Sequence, residues 1–274
     1  MSDSRRLVKP AASPASSDPL TGAPGPEAYT RWRATTLGAV TEALEQRVML
    51  ELVGPVKDKR VLDLGCGDGL LTTALAERGA WAVGIDLDRL MLRAATARPE
   101  PRPCRTPRFI QGRIEELPFP NAMFDIVVAV TVLCFLSDPT AAVREAARVL
   151  RPGGRLVIGD LGRWSAWAAR RRVRGWLGSR LWRAAHFSTA AELSALVERA
   201  GLSVETVRGS VYYPPIGFLA RALAPLDHWL GPLTTAGAAF IALAAIKEHA
   251  GDVPSQTASS ETVSDRRRGA DCDS

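Results

Sequence analysis

Apolar and polar positions along the chain alternate between two periods. Short runs of β-branched residues, typical of buried strands, are separated by longer segments whose apolar residues recur at helical spacing. The predicted strands are Arg60–Asp63, Ala82–Asp86, Arg108–Gln111, Phe124–Val130, Arg155–Asp160, Leu202–Tyr213 and Ala236–Ile246. The predicted helices are Tyr29–Val53, Leu70–Arg78, Asp88–Ala97, Pro139–Leu150 and Thr189–Ala200. This alternation indicates an α/β fold with a mostly parallel sheet.

Both ends of the chain and one internal segment depart from this pattern. Residues 1–27 and 251–274, rich in small and polar residues and in proline, are predicted to be disordered tails around a single domain at 28–250. Between Leu161 and His186 the chain has seven arginines, four tryptophans and no acidic residue. We treat about 161–187 as an Arg/Trp-rich insert in the domain.

Composition narrows the protein class only slightly. The 274 residues are 46% hydrophobic and 23% charged, which is ordinary for a globular protein with a full core. The net charge of +6 would suit nucleic acid, but no recognised binding motif accompanies it. The cysteines are isolated in the sequence, so we predict no metal site. Isolated thiols and the absence of an apolar leader segment favour a cytoplasmic location. They are Cys66, Cys104, Cys134 and Cys272.

The segment VLDLGCGDG, residues 61–69, has the character of a cofactor loop. An acid at Asp63 precedes three glycines spaced two apart, and a predicted helix follows, so the backbone can approach a ligand closely. Asp86 ends the next strand, where a carboxylate can bridge ribose hydroxyls. Dinucleotide loops prefer G-x-G-x-x-G, and an acid here would repel a pyrophosphate. The loop therefore favours S-adenosylmethionine, which carries an ammonium and a sulfonium but no phosphate.

Four motifs in this order resemble the class I S-adenosylmethionine-dependent methyltransferases. They are VLDLGCGDG, GIDLD, EELPFPNAMFDIVVAV and REAARVLRPGGRLVIGD. The resemblance is strongest to the small-molecule branch that includes ubiquinone/menaquinone-biosynthesis and type 11 enzymes. It implies a Rossmann-like seven-stranded sheet of order 3-2-1-4-5-7-6, with strand 7 antiparallel and helices on both faces. It also implies methyl transfer to oxygen or carbon of a small molecule.

The same resemblance implies roles for individual residues. The implied cofactor-binding positions are Asp63, Gly65, Cys66, Gly67, Asp86, Leu87, Arg113, Ile114 and Val130. Within this set, Asp63 and Gly65 would face the methionine end, Asp86 the ribose and Leu87 the adenine. The family commonly has Gly-Asp-Ala after strand 3, whereas this chain has Gly-Arg-Ile at 112–114. The acid that approaches the adenine amine is thus absent, which leaves the amide and apolar side chain of Ile114 for that contact.

The acceptor side is less defined by sequence. The cofactor is an activated donor, so alignment alone can supply much of the rate and a catalytic residue is optional. His186 and Tyr212 are the candidates for a base or an acceptor contact, and Cys134 is interpreted as a buried structural thiol. The insert has three interpretations: a lid over the acceptor, a contact with an anionic membrane surface, or helices packed on the domain. Gly175 and Gly178 predict a break within it.

Two other classes of function remain open. The first is a nucleic-acid or protein methyltransferase, favoured only by the arginines of the insert, since AVTVLCF stands where an N-P-P-Y-type motif would follow strand 4. The second is a protein that binds the cofactor without transferring methyl groups.

Overall fold

Seven strands form a single sheet in a computed structural model that describes residues 25–98 and 105–249. The spatial order is β3-β2-β1-β4-β5-β7-β6. The strands are β1 Arg60–Leu64, β2 Trp81–Asp86, β3 Arg108–Gln111, β4 Phe124–Val130, β5 Leu150–Leu161, β6 Ser203–Ser210 and β7 Phe240–Ile246. Strand β7 runs antiparallel to β5 and β6, and the other neighbours are parallel. The predicted Rossmann-like topology is confirmed.

Helices cover both faces of the sheet, which explains the near-continuous apolar sequence of its central strands. The helices are α1 Pro26–Arg33, α2 Thr36–Val53, α3 Leu70–Glu77, α4 Arg89–Thr96, α5 Pro139–Val149, α6 Ala166–Trp176, α7 Arg180–Ala184, α8 Ala190–Glu198, α9 Gly217–Leu223 and α10 Asp227–Leu230. Helices α5 and α8 pack into one apolar core, and α2, α3 and α9 into the other. Among the helices that the structure describes, none has the length and apolar character needed to cross a bilayer.

The strand register places the motif residues at one edge of the sheet. Asp63 of β1 lies opposite Gly84 of β2 and Val128 of β4. Asp86 and Val130 end their strands just beyond these pairs. In open α/β sheets ligands bind at this carboxyl edge, so the fold brings the acids and glycines to the expected place.

The prediction of one continuous N-terminal helix over Tyr29–Val53 was wrong. The structure has two helices, and Thr35 begins the second by accepting a hydrogen bond from the Gly38 amide at 3.0 Å. The Trp32 carbonyl lies so close to Gly38 that a Cβ there would collide with it. This bend directs α1 away from the axis of α2 and across the edge of the sheet, where α1 contacts α4.

The Arg/Trp-rich insert forms α6 and α7, separated at residues 177–179. Gly178 lies in this break with a φ of 105°, which glycine adopts readily. Gly175, also predicted as a breaker, is instead inside α6, where it packs against the backbone of Trp182. A small residue there lets the two helices approach closely.

The predicted limits of the domain remain predictions. Helix α1 begins at Pro26, two residues before the predicted start at 28. The remainder of the tail predicted at 1–27 and the tail predicted at 251–274 lie outside the described residues, as do Cys104 and Cys272.

Candidate active site

The loop between β1 and α3 turns on three glycines with left-handed backbone. Gly65, Gly67 and Gly69 have φ values of 66°, 53° and 77°. A Cβ at Gly65 would collide with Val132, and one at Gly69 would lie 2.7 Å from Phe109. A Cβ at Gly67 would meet no atom within 4 Å. Two glycines therefore permit close packing, while Gly67 borders open space at the sheet edge.

Two carboxylates flank this loop, and each is held by the protein. Asp86 accepts hydrogen bonds from the backbone amides of Gly67 and Asp88, both at 2.8 Å. Buried Asp63 accepts a hydrogen bond from the Thr72 hydroxyl at 2.6 Å. The pKa of Asp63 is raised to about 7, because burial and the charge of Asp86 outweigh the opposing hydrogen bonds from Thr72. Burial also raises the pKa of Asp86.

These groups fit S-adenosylmethionine better than a dinucleotide. Their charge is negative, which suits an ammonium, a sulfonium and ribose hydroxyls and opposes a pyrophosphate. Open space beside Gly67 gives such a ligand room to approach the backbone. When bound, this cofactor supplies a methyl group already activated by its positive sulfur.

The residues predicted around the adenine lie along the next stretch of the edge. Leu87 is partly exposed directly after Asp86, as an adenine-facing side chain would be. Arg113 turns its guanidinium to Glu115, with N and O atoms 3.1 Å apart. Ile114 is buried in the core. Position 113 thus supplies no carboxylate to the adenine, because arginine stands where the family commonly has aspartate.

Cys66 and Cys134 have the surroundings of structural thiols. Cys66 packs against Gly84, where an added Cβ would come within 2.7 Å of the sulfur. Burial raises the pKa of both thiols well above the ordinary range. A thiol that keeps its proton is a poor nucleophile, so neither residue is suited to covalent catalysis.

Asp68 joins the cofactor loop to two neighbouring helices. Its carboxylate pairs with Arg33 of α1 at 2.5 and 3.0 Å and with Arg98, just after α4, at 2.7 Å. The Arg33 guanidinium also lies 3.3 Å from Glu42 of α2. Asp68 does not cap α3. The N-cap residue of that helix is Gly69, and no side chain caps its first turn. The cluster therefore fixes α1 over the loop.

A pocket lies between the cofactor loop, the end of β4 and α2. The residues that line it are Glu42, Glu45, Gln46, Met49, Leu70, Leu71 and Val130. Of the predicted site residues, Val130 is the one on this wall. Glu45 lies among buried residues of α2, and burial together with the charge of Glu42 raises its pKa to about 8. The pocket is therefore acidic on its α2 side and apolar on the others.

A second charged residue approaches the same region from the insert. The Arg171 guanidinium stacks over the rings of Trp167 and Trp182, at 5.1 and 4.9 Å from their centres. Its charge acts on Glu45, Cys134 and Tyr29, and burial lowers its pKa.

The end of β5 adds a buried acid. Asp160 is buried and accepts a hydrogen bond from the Ser188 hydroxyl at 3.1 Å. Its other oxygen, Oδ1, has no partner of good geometry among the described residues, although the Cys134 thiol lies beside it. Burial raises the pKa of Asp160 to about 6.

The two residues predicted as acceptor contacts have other surroundings. His186 is exposed, and its backbone amide donates to the Cys134 carbonyl at 2.7 Å. Its ring lies near enough to Asp160 for their charges to interact. The Tyr212 hydroxyl donates to the Thr234 carbonyl, and burial raises its pKa to about 12. Neither residue lines the pocket beside Val130.

Glu45 and Arg171 were missed from the sequence, although a signal was present. The buried residues of α2 recur at helical spacing, and Glu45 stands on this stripe, four residues after Thr41 and four before Met49. Arg171 stands likewise between Trp167 and Gly175, both buried in α6. A charge on a buried stripe indicates a functional position. Within residues 25–98 and 105–249, no cluster of three His, Cys, Asp or Glu residues could hold a metal ion.

The fold and this site define a class I S-adenosylmethionine-dependent methyltransferase. The family described as "Methyltransferase domain" matches residues 62–158. A ubiquinone biosynthesis O-methyltransferase from Idiomarina loihiensis is 32% identical over 172 residues, which cover 59% of this chain and 68% of the relative. The chain belongs to this methyltransferase family and uses S-adenosylmethionine.

Two further comparisons extend over more of the chain. An uncharacterised protein of Mycobacterium tuberculosis is 32% identical over 241 residues, which cover 87% of this chain and 78% of that protein. A methyltransferase structure from Thermotoga maritima, described as a possible histamine N-methyltransferase, has a TM-score of 0.60 at 22% identity. It covers 81% of this chain and 96% of its own, and it supports the fold alone.

Proposed function

We propose that this methyltransferase acts on oxygen or carbon of a small-molecule acceptor bound between α2, the end of β4 and α6. The pocket beside Val130 carries this proposal, because it adjoins the cofactor loop through Leu70 and Leu71 and is covered by α2. Relatives named ubiquinone biosynthesis O-methyltransferases support a small acceptor.

The cofactor side of the proposed site consists of the loop and the acids around it. We assign to it Asp63, Gly65, Cys66, Gly67, Asp86, Leu87, Arg113, Ile114 and Val130. The hydrogen bonds that fix Asp63 and Asp86 support this assignment, since they orient both carboxylates before a ligand arrives. Cys66 contributes through its backbone, because its side chain packs on Gly84.

Residues of the chain then have three tasks in the reaction. The acids hold the cofactor, the apolar wall at Met49, Leu71 and Val130 excludes water, and the pocket aligns the acceptor with the methyl carbon. Alignment of this kind can supply about 7–11 kcal/mol of the barrier.

The proposal is tested with S-adenosylmethionine labelled in its methyl group. The protein is incubated with this cofactor and a deproteinised extract of small molecules from the source cells, and labelled products are identified by mass spectrometry. Label in a small molecule is expected. Label found only in added nucleic acid or protein, together with salt-sensitive binding to RNA or DNA, would support the alternative class instead.

We also propose that the outer face of the insert contacts an anionic membrane surface. Trp164, Trp176 and Leu177 are 70%, 82% and 81% exposed, beside the exposed arginines 170 and 174. Exposed tryptophan and arginine together suit a lipid interface. The inner face, with Trp167 and Arg171, faces the pocket region and suits a lid, so the two interpretations concern opposite sides of one segment. The expected cytoplasmic location stays a prediction.

Vesicle sedimentation tests the membrane contact. Vesicles of phosphatidylcholine with phosphatidylglycerol should retain the protein, and pure phosphatidylcholine should retain far less. Replacement of Trp176 and Leu177 by Ala should reduce retention, whereas Trp81→Ala, which removes an exposed tryptophan from β2, should leave it unchanged. Equal sedimentation of both variants would exclude this surface.

A further inference from the structure

Glu45 is a half-buried acid on the wall of the proposed acceptor pocket. It stands on the buried stripe of α2 and lines the pocket beside Val130. Among the residues that the structure describes, no cation forms an ion pair with it and no donor hydrogen-bonds to it. Its neighbour Glu42, by contrast, pairs with Arg33 at 3.3 Å. An acid that lines a pocket and has no protein partner is available to a ligand.

Arg171 of α6 is a second half-buried charge near Glu45. It lies on the buried stripe of α6, stacked on Trp167 and Trp182. Its guanidinium forms no hydrogen bond or ion pair with a described residue, although its charge acts on Glu45. The two opposite charges act on each other without forming an ion pair, so each remains available to a ligand.

We propose that Glu45 takes the proton from a hydroxyl group of the acceptor, while Arg171 binds an anionic group of the same acceptor. The proposal rests on the proposed small-molecule function and names its substrate class: a compound with an ionisable hydroxyl and an anion, such as a hydroxylated carboxylate. The acceptor's O–H bond breaks and its proton goes to a carboxylate oxygen of Glu45. The electron pair left on the acceptor oxygen forms the new O–C bond with the methyl carbon. The electron pair of the broken C–S bond stays on sulfur.

The charges around Glu45 suit this task. Glu42 on its own helix and Asp227 on α10 raise its pKa, in addition to burial, and Arg171 on α6 lowers it. A carboxylate that titrates near neutral pH is a better base than an exposed one, since it holds the abstracted proton more firmly. Arg171 also stabilises negative charge on the acceptor.

Transfer of labelled methyl into the small-molecule extract tests the proposal with matched variants. Glu45→Gln should slow the transfer by about 100-fold or more, the usual effect of losing a general base. Arg171→Gln should slow it at least about tenfold at low extract concentration, with recovery at high concentration. The controls Glu51→Gln and Arg174→Gln remove exposed charges from α2 and α6 and should behave as the wild type.

Two readouts separate a chemical role from a structural one. S-adenosylhomocysteine should bind Glu45→Gln within twofold of the wild-type affinity by calorimetry. In the wild type, one component of the protonated-carboxyl infrared band should disappear as pH rises through about 8. Glu45→Gln should lack this component and keep those of Asp63 and Asp160, which disappear at about 7 and 6. The wild-type rate should rise over the same range, and the residual rate of the variant should not.

Three results would each overturn a different part of the proposal. Wild-type protein that labels no small molecule refutes the proposed function itself. A wild type that labels its acceptor while Glu45→Gln works equally fast, or keeps the same pH dependence, overturns the assignment of the base. A methyl group found on an amine of a cationic product overturns the substrate class.

Discussion

The two sides of the cleft hold their charged side chains in different ways. On the cofactor side, Asp63 and Asp86 are fixed by hydrogen bonds from Thr72 and from backbone amides. On the acceptor side, Glu45 and Arg171 stand on buried helix stripes and form no ion pair with a described residue.

This contrast separates two kinds of functional residue. Groups with protein partners keep one geometry before the ligand arrives, so they are suited to a cofactor common to a whole family. Groups without partners reduce stability until a ligand supplies one, so they are suited to the molecule that distinguishes one member from another. Substitutions on the two sides should therefore have different effects on ligand binding and stability.

The largest effect is expected at Asp86. Asp86→Ala removes the proposed acceptor for the ribose hydroxyls and also releases the Gly67 amide. Loss of charge-assisted hydrogen bonds of about 2–4 kcal/mol should weaken S-adenosylmethionine binding by about 30- to 1,000-fold, measured by calorimetry. Glu198→Ala, which removes an exposed acid from α8, should bind normally. Unchanged affinity in Asp86→Ala would remove the ribose assignment.

The stability of the ligand-free protein should fall as pH rises from 5.5 to 8.5. The folded pKa values of Asp160, Asp63 and Glu45 are about 6, 7 and 8, above those of the unfolded chain. The fold therefore favours the protonated forms, and this stability is present at low pH and lost as pH rises through those values. A loss on the order of 2 kcal/mol is expected in urea unfolding.

The contribution of Glu45 to this pH dependence can be measured with a variant. Glu45→Gln should flatten the curve near pH 8, whereas Glu51→Gln should leave it unchanged. Constant or increasing stability over the range would contradict the raised pKa values of these acids in the folded protein.

A smaller loss is expected when a partner is removed from the cofactor side. Thr72→Val keeps the shape of the side chain but removes the hydrogen bond to Asp63. The buried carboxyl loses a partner, so the free energy of unfolding should decrease by about 1–2 kcal/mol. Thr73→Val, in the same helix and also buried, supplies the control. Equal stability of the two variants would show that Asp63 is not held by Thr72.

The acceptor side should respond with the opposite sign. Glu45→Leu replaces an unpartnered acid on a buried stripe, so unfolding should require about 1 kcal/mol more free energy even though methyl transfer is lost. Glu51→Leu, on the exposed face of α2, should bring no such gain. Destabilisation by Glu45→Leu would mean that the acid has a structural partner after all.

The fold was predictable because its signals are local. Strands such as Phe124–Val130 are apolar runs bounded by turns, and the strand order followed from the family resemblance. The break between α1 and α2 was not predicted, since it depends on the contact of Gly38 with the Trp32 carbonyl, and no proline marks it.

The site was predictable on one side only. Asp63, the glycines and Asp86 lie in short motifs whose spacing carries their chemistry. Glu45 and Arg171 are 126 positions apart, as the difference of their numbers shows, and their meeting depends on how two helices rotate toward the same pocket. Sequence periodicity gives the buried stripe of each helix but not the partner that it faces.

The placement of the pocket walls along the chain has a consequence for engineering. The strands and loops proposed to bind the cofactor form one continuous stretch from β1 to β5, whereas the proposed acceptor contacts come from two flanking segments, α1–α2 and α6–α7. Each flanking segment can be exchanged as a cassette with the corresponding segment of a relative, without changing the cofactor motifs. Chimaeras of this kind would alter acceptor choice while keeping one common methyl donor.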